Sequence, residues 1–316
     1  MTISLTGKLR REFERSRKAG IIPLAAYREG ERLAEEIKPV DQLIREGHSP
    51  VHALYLNVHN LISLFVEEVT VMPMFNRAYD TLVKAEDMYT PGYPPMSPIT
   101  VSYYGCWTIY DLPIGKDDET LGGCFTALSD LLELDTFQIE AARNLCQSRM
   151  GIYELLGASG AGFRLRELIT DREFEAVITS GFKGRAGDLI LMRLLPPVPE
   201  CGLPWVGMTT PYVLVGCREG DWLEYFKRHQ ILPGTVGCEE RLRRHLKVGT
   251  DQFYWSEFVF WGYVNFRSDA IFLAGFPDQQ HTQPAHRSFD STTLDLRRVA
   301  AQMAWRISDN GYAATQ

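Results

Sequence analysis

GIYELLG (151–157), FRLRELIT (163–170), EFEAVITSG (173–181), GDLILMRLLPP (187–197) and VGMTTPYVLVG (206–216) follow one another through the middle of the chain. Each apolar run ends in turn residues, and the period inside the runs is close to two. Phe163, Leu165, Glu167 and Ile169 fall on one side, with Arg164, Arg166 and Leu168 on the other. That alternation is the signature of strands with one face buried. Thr170-Asp171-Arg172 is placed to turn the second run into the third, and Gly181, Gly184 and Gly187 punctuate the next connection. Short strands at this spacing predict a small β-barrel over 150–217, SH3-like or OB-like.

The flanking segments read differently. Residues 1–149 are expected to be mainly helical. Lys8 to Lys18 reads as a basic, solvent-facing helix. Leu33, Ile37, Val40, Leu43 and Ile44 recur at helical spacing within 24–46, with Pro39 a kink or break. Ser49 and Pro50 mark the clearest helix start, followed by the stripe Val51, Leu54, Val58, Leu61, Phe65 and Val69 up to Pro73. ITVSYYGCWTIYDL (99–112) is rich in β-branched and aromatic residues and predicts a strand or a hairpin bent at Gly105. Helices are expected over 118–134 and 136–148.

Residues 218–316 are expected to be a mixed α/β region packed on the rest. Helices are predicted over 221–230 and 239–248, an aromatic hairpin over 253–266, a strand over 270–276 and a final helix over 292–308. The fold class expected is therefore α+β, with helical, barrel and mixed parts in one compact body. RELITD (166–171) with GDLILMRLLPP (187–197) resembles small β-barrel modules of uncharacterised bacterial proteins, a likeness confined to the barrel segment and assigning no residue a role.

Composition narrows the function classes. The chain has 316 residues, 45% of them hydrophobic, enough for a packed core. Its 33 Lys and Arg against 40 Asp and Glu give a net charge of −7, unfavourable for general polyanion binding. The charge is uneven: Asp111 to Glu140 holds one base, Lys116, and eight acids, while the first twenty residues hold six bases and two acids. The acidic segment can dock on the basic helices, in the same molecule or in a second copy. Six cysteines at 106, 124, 146, 201, 217 and 238 form no C-x-x-C pair, which excludes a zinc ribbon or thioredoxin motif. No apolar signal stretch stands at the charged N-terminus and no run reads as a membrane span, so reduced thiols, a cytoplasmic location and no membrane association are expected.

Candidate chemistry is sparse. His48 and His52 are four apart, as zinc ligands on a helix can be, but Pro50 lies between them. His52, His59, Ser63 and Glu67 make a polar stripe that is either hydrogen-bonded in the core or the lining of a pocket. The loop PDQQHTQPAH (277–286) carries Asp278, His281 and His286 as candidate metal ligands, with His281 or His286 as a general base. GFKGRAGD (181–188) offers Lys183 and Arg185 for phosphate contacts, without the strand–loop–helix context of a phosphate cradle. Arg10 and Arg11, with Arg241 and Arg244 in RLRRHLK (241–247), are candidate nucleic-acid or partner contacts. Cys106 beside Trp107 reads as a buried thiol. No cofactor motif stands out. The leading expectation is a non-catalytic interaction or scaffold protein, a subunit of a larger assembly with a protein partner or a second copy. A nucleic-acid-binding accessory protein and a metal-assisted hydrolase using residues 278–286 are the alternatives.

Overall fold

The computed structural model describes residues 3–19, 37–89, 98–160, 162–178, 182–201, 204–215, 218–247 and 271–274. The expected hairpin over 253–266, the loop 277–286 and the helix over 292–308 lie outside the described residues. The chain is α+β and contains a closed five-stranded barrel. Its residues gather into two compact units that interleave in sequence: Met1–Glu86, Tyr104–Ser148 and Leu195–Val206 form one, and Asp87–Tyr103, Arg149–Leu194 and Gly207–Gln316 the other.

In the first unit, α1 (Leu5–Ala19) buries Leu5 and Leu9 and stacks Phe13 on Phe65, three apolar residues four apart on one helical face. The helix expected to face solvent is thus docked along one stripe. Two features fix its start. The Ser4 hydroxyl accepts from Gly7 N–H at 3.1 Å, and the Glu119 carboxylate accepts from Leu5 and Thr6 N–H at 2.8 and 2.9 Å. An anion at a helix N-terminus satisfies free donors and the macrodipole together. Burial works against the charge of Glu119, but the hydrogen bonds from Thr6 and Leu5 hold its carboxyl below the usual carboxylate range.

Helices α2 (Val40–Arg45) and α3 (Pro50–Thr70) follow, then α4 (Asn76–Tyr89), α5 (Pro98–Tyr110), α6 (Leu121–Ala127) and α7 (Thr136–Gln147). Ser49 and Pro50 open α3 as the sequence predicts, and α3 packs against α2, α6 and α7. A capping box of Asp135 and Gln138 starts α7. The fully buried Tyr55 ties the unit together, donating to Pro196 O at 2.6 Å and accepting from Asn144 Nδ2 at 3.0 Å.

One expectation is overturned. Residues 98–110, read as a strand or hairpin, are the helix α5. Tyr103, Cys106, Trp107 and Tyr110 are buried at spacings of three, four and seven, a helical stripe that outweighs the β propensity of the residue types.

The strands β1 (Met150–Ser159), β2 (Gly162–Glu167), β3 (Glu173–Val177), β4 (Leu189–Leu195), β5 (Trp205–Gly207), β6 (Tyr212–Val215) and β7 (Ile271–Ala274) form one sheet. Its order is β1-β2-β3-β5-β4-β6-β7, and an added β1–β4 pairing closes the first five into the barrel. The last of the five sequence runs therefore holds two strands. The second of them, β6, pairs antiparallel with β4 and parallel with β7. The turn predicted at Thr170-Asp171-Arg172 is present, closed by Glu167 N–H to Arg172 O at 2.9 Å, with Asp171 left-handed at φ 57°.

Register shows which side chains fill the barrel. Tyr153 faces Glu167, Leu155 faces Leu165, Leu165 faces Phe174 and Tyr153 faces Ile190. At Gly162 the strands approach so closely that a Cβ would strike the Ala176 carbonyl. Every residue of β4 is buried. Its outer face explains this: Tyr212 lies beside Leu191, stacks on Tyr103 of α5 at 4.7 Å and bonds Thr100 Oγ1 at 3.2 Å.

Glu167 follows the alternation inward and is 3% exposed. A carboxylate there is tolerable only when paired. Arg149 grips it with two nitrogens at 2.7 and 3.1 Å, and the Thr170 hydroxyl donates at 2.6 Å. Glu167→Gln, which leaves Arg149 buried without its counter-charge, is expected to lower stability by about 3–5 kcal/mol. The double change Arg149→Met with Glu167→Leu is expected to cost less. Urea unfolding of the three proteins checks both statements.

Candidate functional site

The cations singled out in the sequence fall into different classes in the structure. Arg10 pairs with Asp130 through two bonds of 2.7 and 2.8 Å and also donates to Ala127 O, and Arg17 reaches Glu133 at 3.3 Å. The acidic segment thus docks on the basic helix within the molecule. Arg164 pairs with Glu173, and Arg166 meets Glu154, Asp171 and Glu219. Arg193 is 1% exposed. These barrel arginines are therefore balanced by neighbouring acids or buried. Lys183 and Arg185 are exposed, with the Arg185 N–H donating to Asp188 at 2.9 Å. Arg11 and Arg244 are exposed on their helices. Asp278, His281 and His286 lie outside the described residues.

The histidine stripe is hydrogen-bonded. His59 Nδ1 lies 2.8 Å from the Tyr110 hydroxyl, and the Ser63 hydroxyl donates to His59 O at 3.0 Å. His52, 5% exposed, has its Nδ1 3.1 Å from that of His48. Glu67 is exposed, and its carbonyl accepts from Thr70. Among the described residues no group of three or more His, Cys, Asp or Glu is placed to hold a metal ion. Cys106, Cys124, Cys146, Cys201 and Cys238 are free thiols. Burial pushes the Cys124 thiol up to about 11, and burial likewise raises Cys201 and Cys238, the opposite of an activated nucleophile. No described helix is long and apolar enough to cross a membrane.

A second group of histidines joins the two helices beside the barrel, α8 (Glu219–Arg228) and α9 (Cys238–Lys247). His245 Nε2 lies 3.0 Å from the Tyr225 hydroxyl, and the His229 ring sits 4.6 Å from both the Tyr225 and His245 rings. Trp222, Tyr225, Phe226, Leu242 and Leu246 complete a buried helix-pair interface. The adjacent Glu219 and Glu239 bind Arg166 and Arg172 of the barrel unit.

The turn between these helices is the most distinctive surface feature. Ile231 is buried as an anchor, while Leu232 is 38% and Val236 97% exposed. Left-handed Gln230, Gly234 and Gly237 let the chain fold tightly between them. Arg241, a candidate partner contact in the sequence, braces this turn. Its Nε donates to Gln230 O at 3.0 Å, Nη1 to Val236 O at 3.0 Å and Nη2 to Thr235 Oγ1 at 2.9 Å. Thr235 Oγ1 in turn donates to Leu232 O at 2.7 Å. The result is a cross-braced loop that holds two apolar side chains in water. Sequence reading takes Pro233-Gly234 only as a helix stop and passes over Leu232 and Val236. The signal available was a β-branched residue set between Gly234 and Gly237.

No protein-family model, no curated protein and no solved structure matches the chain.

Arg241→Ala is expected to speed amide exchange across 232–237 and to lower stability by about 1 kcal/mol. Val236→Ser, which removes nothing the fold uses, is expected to stay within about 0.5 kcal/mol of the parent. Exchange mass spectrometry and urea unfolding check the pair.

Burial, with a neighbouring histidine, lowers the pKa of His52 and of His245 from 6.5 to about 4. The unfolded imidazoles take their protons near 6.5 and the folded ones near 4, so unfolding takes up protons between those values. Stability is therefore expected to fall as pH drops through that window, by about 1.4 kcal/mol per pH unit for each histidine. Denaturation midpoints across the interval check the slope, and His245→Leu is expected to flatten it.

Proposed function

We propose that this chain is a non-catalytic cytoplasmic interaction protein, a subunit of a larger assembly, and that the turn between α8 and α9 forms part of its contact surface. The observation that carries the reading is the braced turn, with Val236 97% and Leu232 38% exposed above the buried Ile231. Exposed apolar side chains on a flexible loop are ordinary. Here three donors of Arg241 fix the backbone around them, so little conformational entropy remains to be lost on docking. Apolar anchors surrounded by polar groups are the usual centre of a protein–protein contact. The pairing of Arg10, Arg164 and Arg166 with acids weighs against the nucleic-acid alternative.

Gentle low-salt purification of the parent and of Leu232→Asp with Val236→Asp tests the reading. The parent is expected to copurify stoichiometrically with a protein partner, or to self-associate by sedimentation. The variant is expected to keep its fold by circular dichroism and to lose that association by about tenfold or more. A monomer holding stoichiometric metal that Asp278→Ala or His281→Ala removes would overturn the proposal in favour of the hydrolase alternative. Copurifying nucleic acid released by salt would overturn it in favour of the nucleic-acid alternative. A parent that stays alone and monomeric would also count against it.

A further inference from the structure

A cleft of about 450 Å³ opens in the helical unit where the start of α1, the start of α4 and the segment 114–116 meet. Its lining combines apolar Leu5, Met74 and Ile114 with three cations, Lys8, Arg77 and Lys116. The cations come from three separate segments of the chain. Several basic side chains of this unit have acidic neighbours: Arg10 has Asp130, Arg15 has Glu12, Arg17 has Glu133 and Lys38 has Glu46. Lys8 and Arg77 have no such ion pair among the described residues, and Lys116 has only Asp117 at 3.9 Å, with both partners largely exposed. A loose surface pair of that kind holds a lysine weakly. Glu119, the carboxylate beside Gly115, is already bound to the N–H groups of Leu5 and Thr6.

We propose that this cleft binds a small phosphate monoester, its head held by Lys8, Arg77 and Lys116 and its apolar body resting on Leu5, Met74 and Ile114. Three cations lining one cleft match a dianion better than a single carboxylate, and the arginine fork suits phosphate oxygens. The volume lies within the usual range for small-molecule pockets, about 300–1,000 Å³. This site is independent of the contact surface proposed above.

The test uses two probes, inorganic phosphate and phenyl phosphate, titrated calorimetrically into the full chain. Phenyl phosphate is expected to bind at least about tenfold more tightly than inorganic phosphate, and phenol not at all. Lys8→Ala with Arg77→Ala is expected to weaken phenyl phosphate by about tenfold or more without moving the thermal midpoint, since both side chains are exposed. Met74→Ser is expected to narrow the gap between the two probes while leaving inorganic phosphate unchanged. No binding of phenyl phosphate by the folded parent would overturn the proposal. So would equal affinity for the two probes, or binding that survives the double substitution. An RNA oligonucleotide that displaces phenyl phosphate and depends on the same cations would assign them to a macromolecule instead, and would overturn it as well.

Discussion

The barrel depends on β1 pairing along both of its edges. Over Met150–Glu154 it pairs with β4, while the residues from Tyr153 onward pair with β2. β1, ten residues long, serves β4 with its first half and β2 with its second, and closing a sheet on itself requires such a strand to bend. The register shift between Leu155 and Gly157 supplies the irregularity, with Gly157 at φ 147°. Closure then dictates the placement of charge. Once Leu155 and Leu165 face the interior, the period of two carries Glu167 inward with them. Arg149, one residue before β1, is the cation within reach. The buried ion pair is thus a consequence of barrel register, and the Thr170 hydroxyl in the following turn completes it.

The same logic extends to the outer charges. Arg164 and Arg166 point away from the core, and each meets a carboxylate on a neighbouring strand: Glu173 on β3, Glu154 on β1. Arg166 also reaches Glu219 at the start of α8, so one guanidinium links the barrel wall to the helix pair. In the helical unit Glu119 and Asp130 hold α1 at its first turn and along its side. A net charge of −7 therefore conceals extensive local balance. Lys8, Arg77 and Lys116 differ in another respect: all three line one cleft.

Strands were legible where one face is wet and the other dry. FRLRELIT alternates visibly because Arg164 and Arg166 lie on the outer side of a strand whose inner side packs. The helix α5 was not legible from composition, since Ile99, Thr100, Val101, Tyr103 and Tyr104 favour strands as residue types. Only the spacing of Tyr103, Cys106, Trp107 and Tyr110 carried the helical information. The doubled strand in 206–216 was hidden for another reason. β5 is three residues long, and Met208 N–H bonding Arg193 O is a tertiary fact with no local signature. For the candidate site, the sequence marks Arg241 as a candidate partner contact and carries no sign of what it touches within the chain. A basic residue on a helix reads as a surface charge, whereas its partners are three oxygens of the preceding turn.

The bracing by Arg241 has a counterpart elsewhere on this chain. Charged residues draw attention in a sequence because partners often meet charge, yet here most of the conspicuous ones serve the fold. Arg10, Arg149, Arg166 and Arg241 each satisfy oxygens of the same molecule. What such bracing leaves outside is decided by shape: a turn that cannot collapse keeps Val236 in water, although burying a valine would gain about 1.5–3 kcal/mol. The left-handed glycines and the Arg241 bonds fix it outward, a constraint on the turn that no motif in the sequence records.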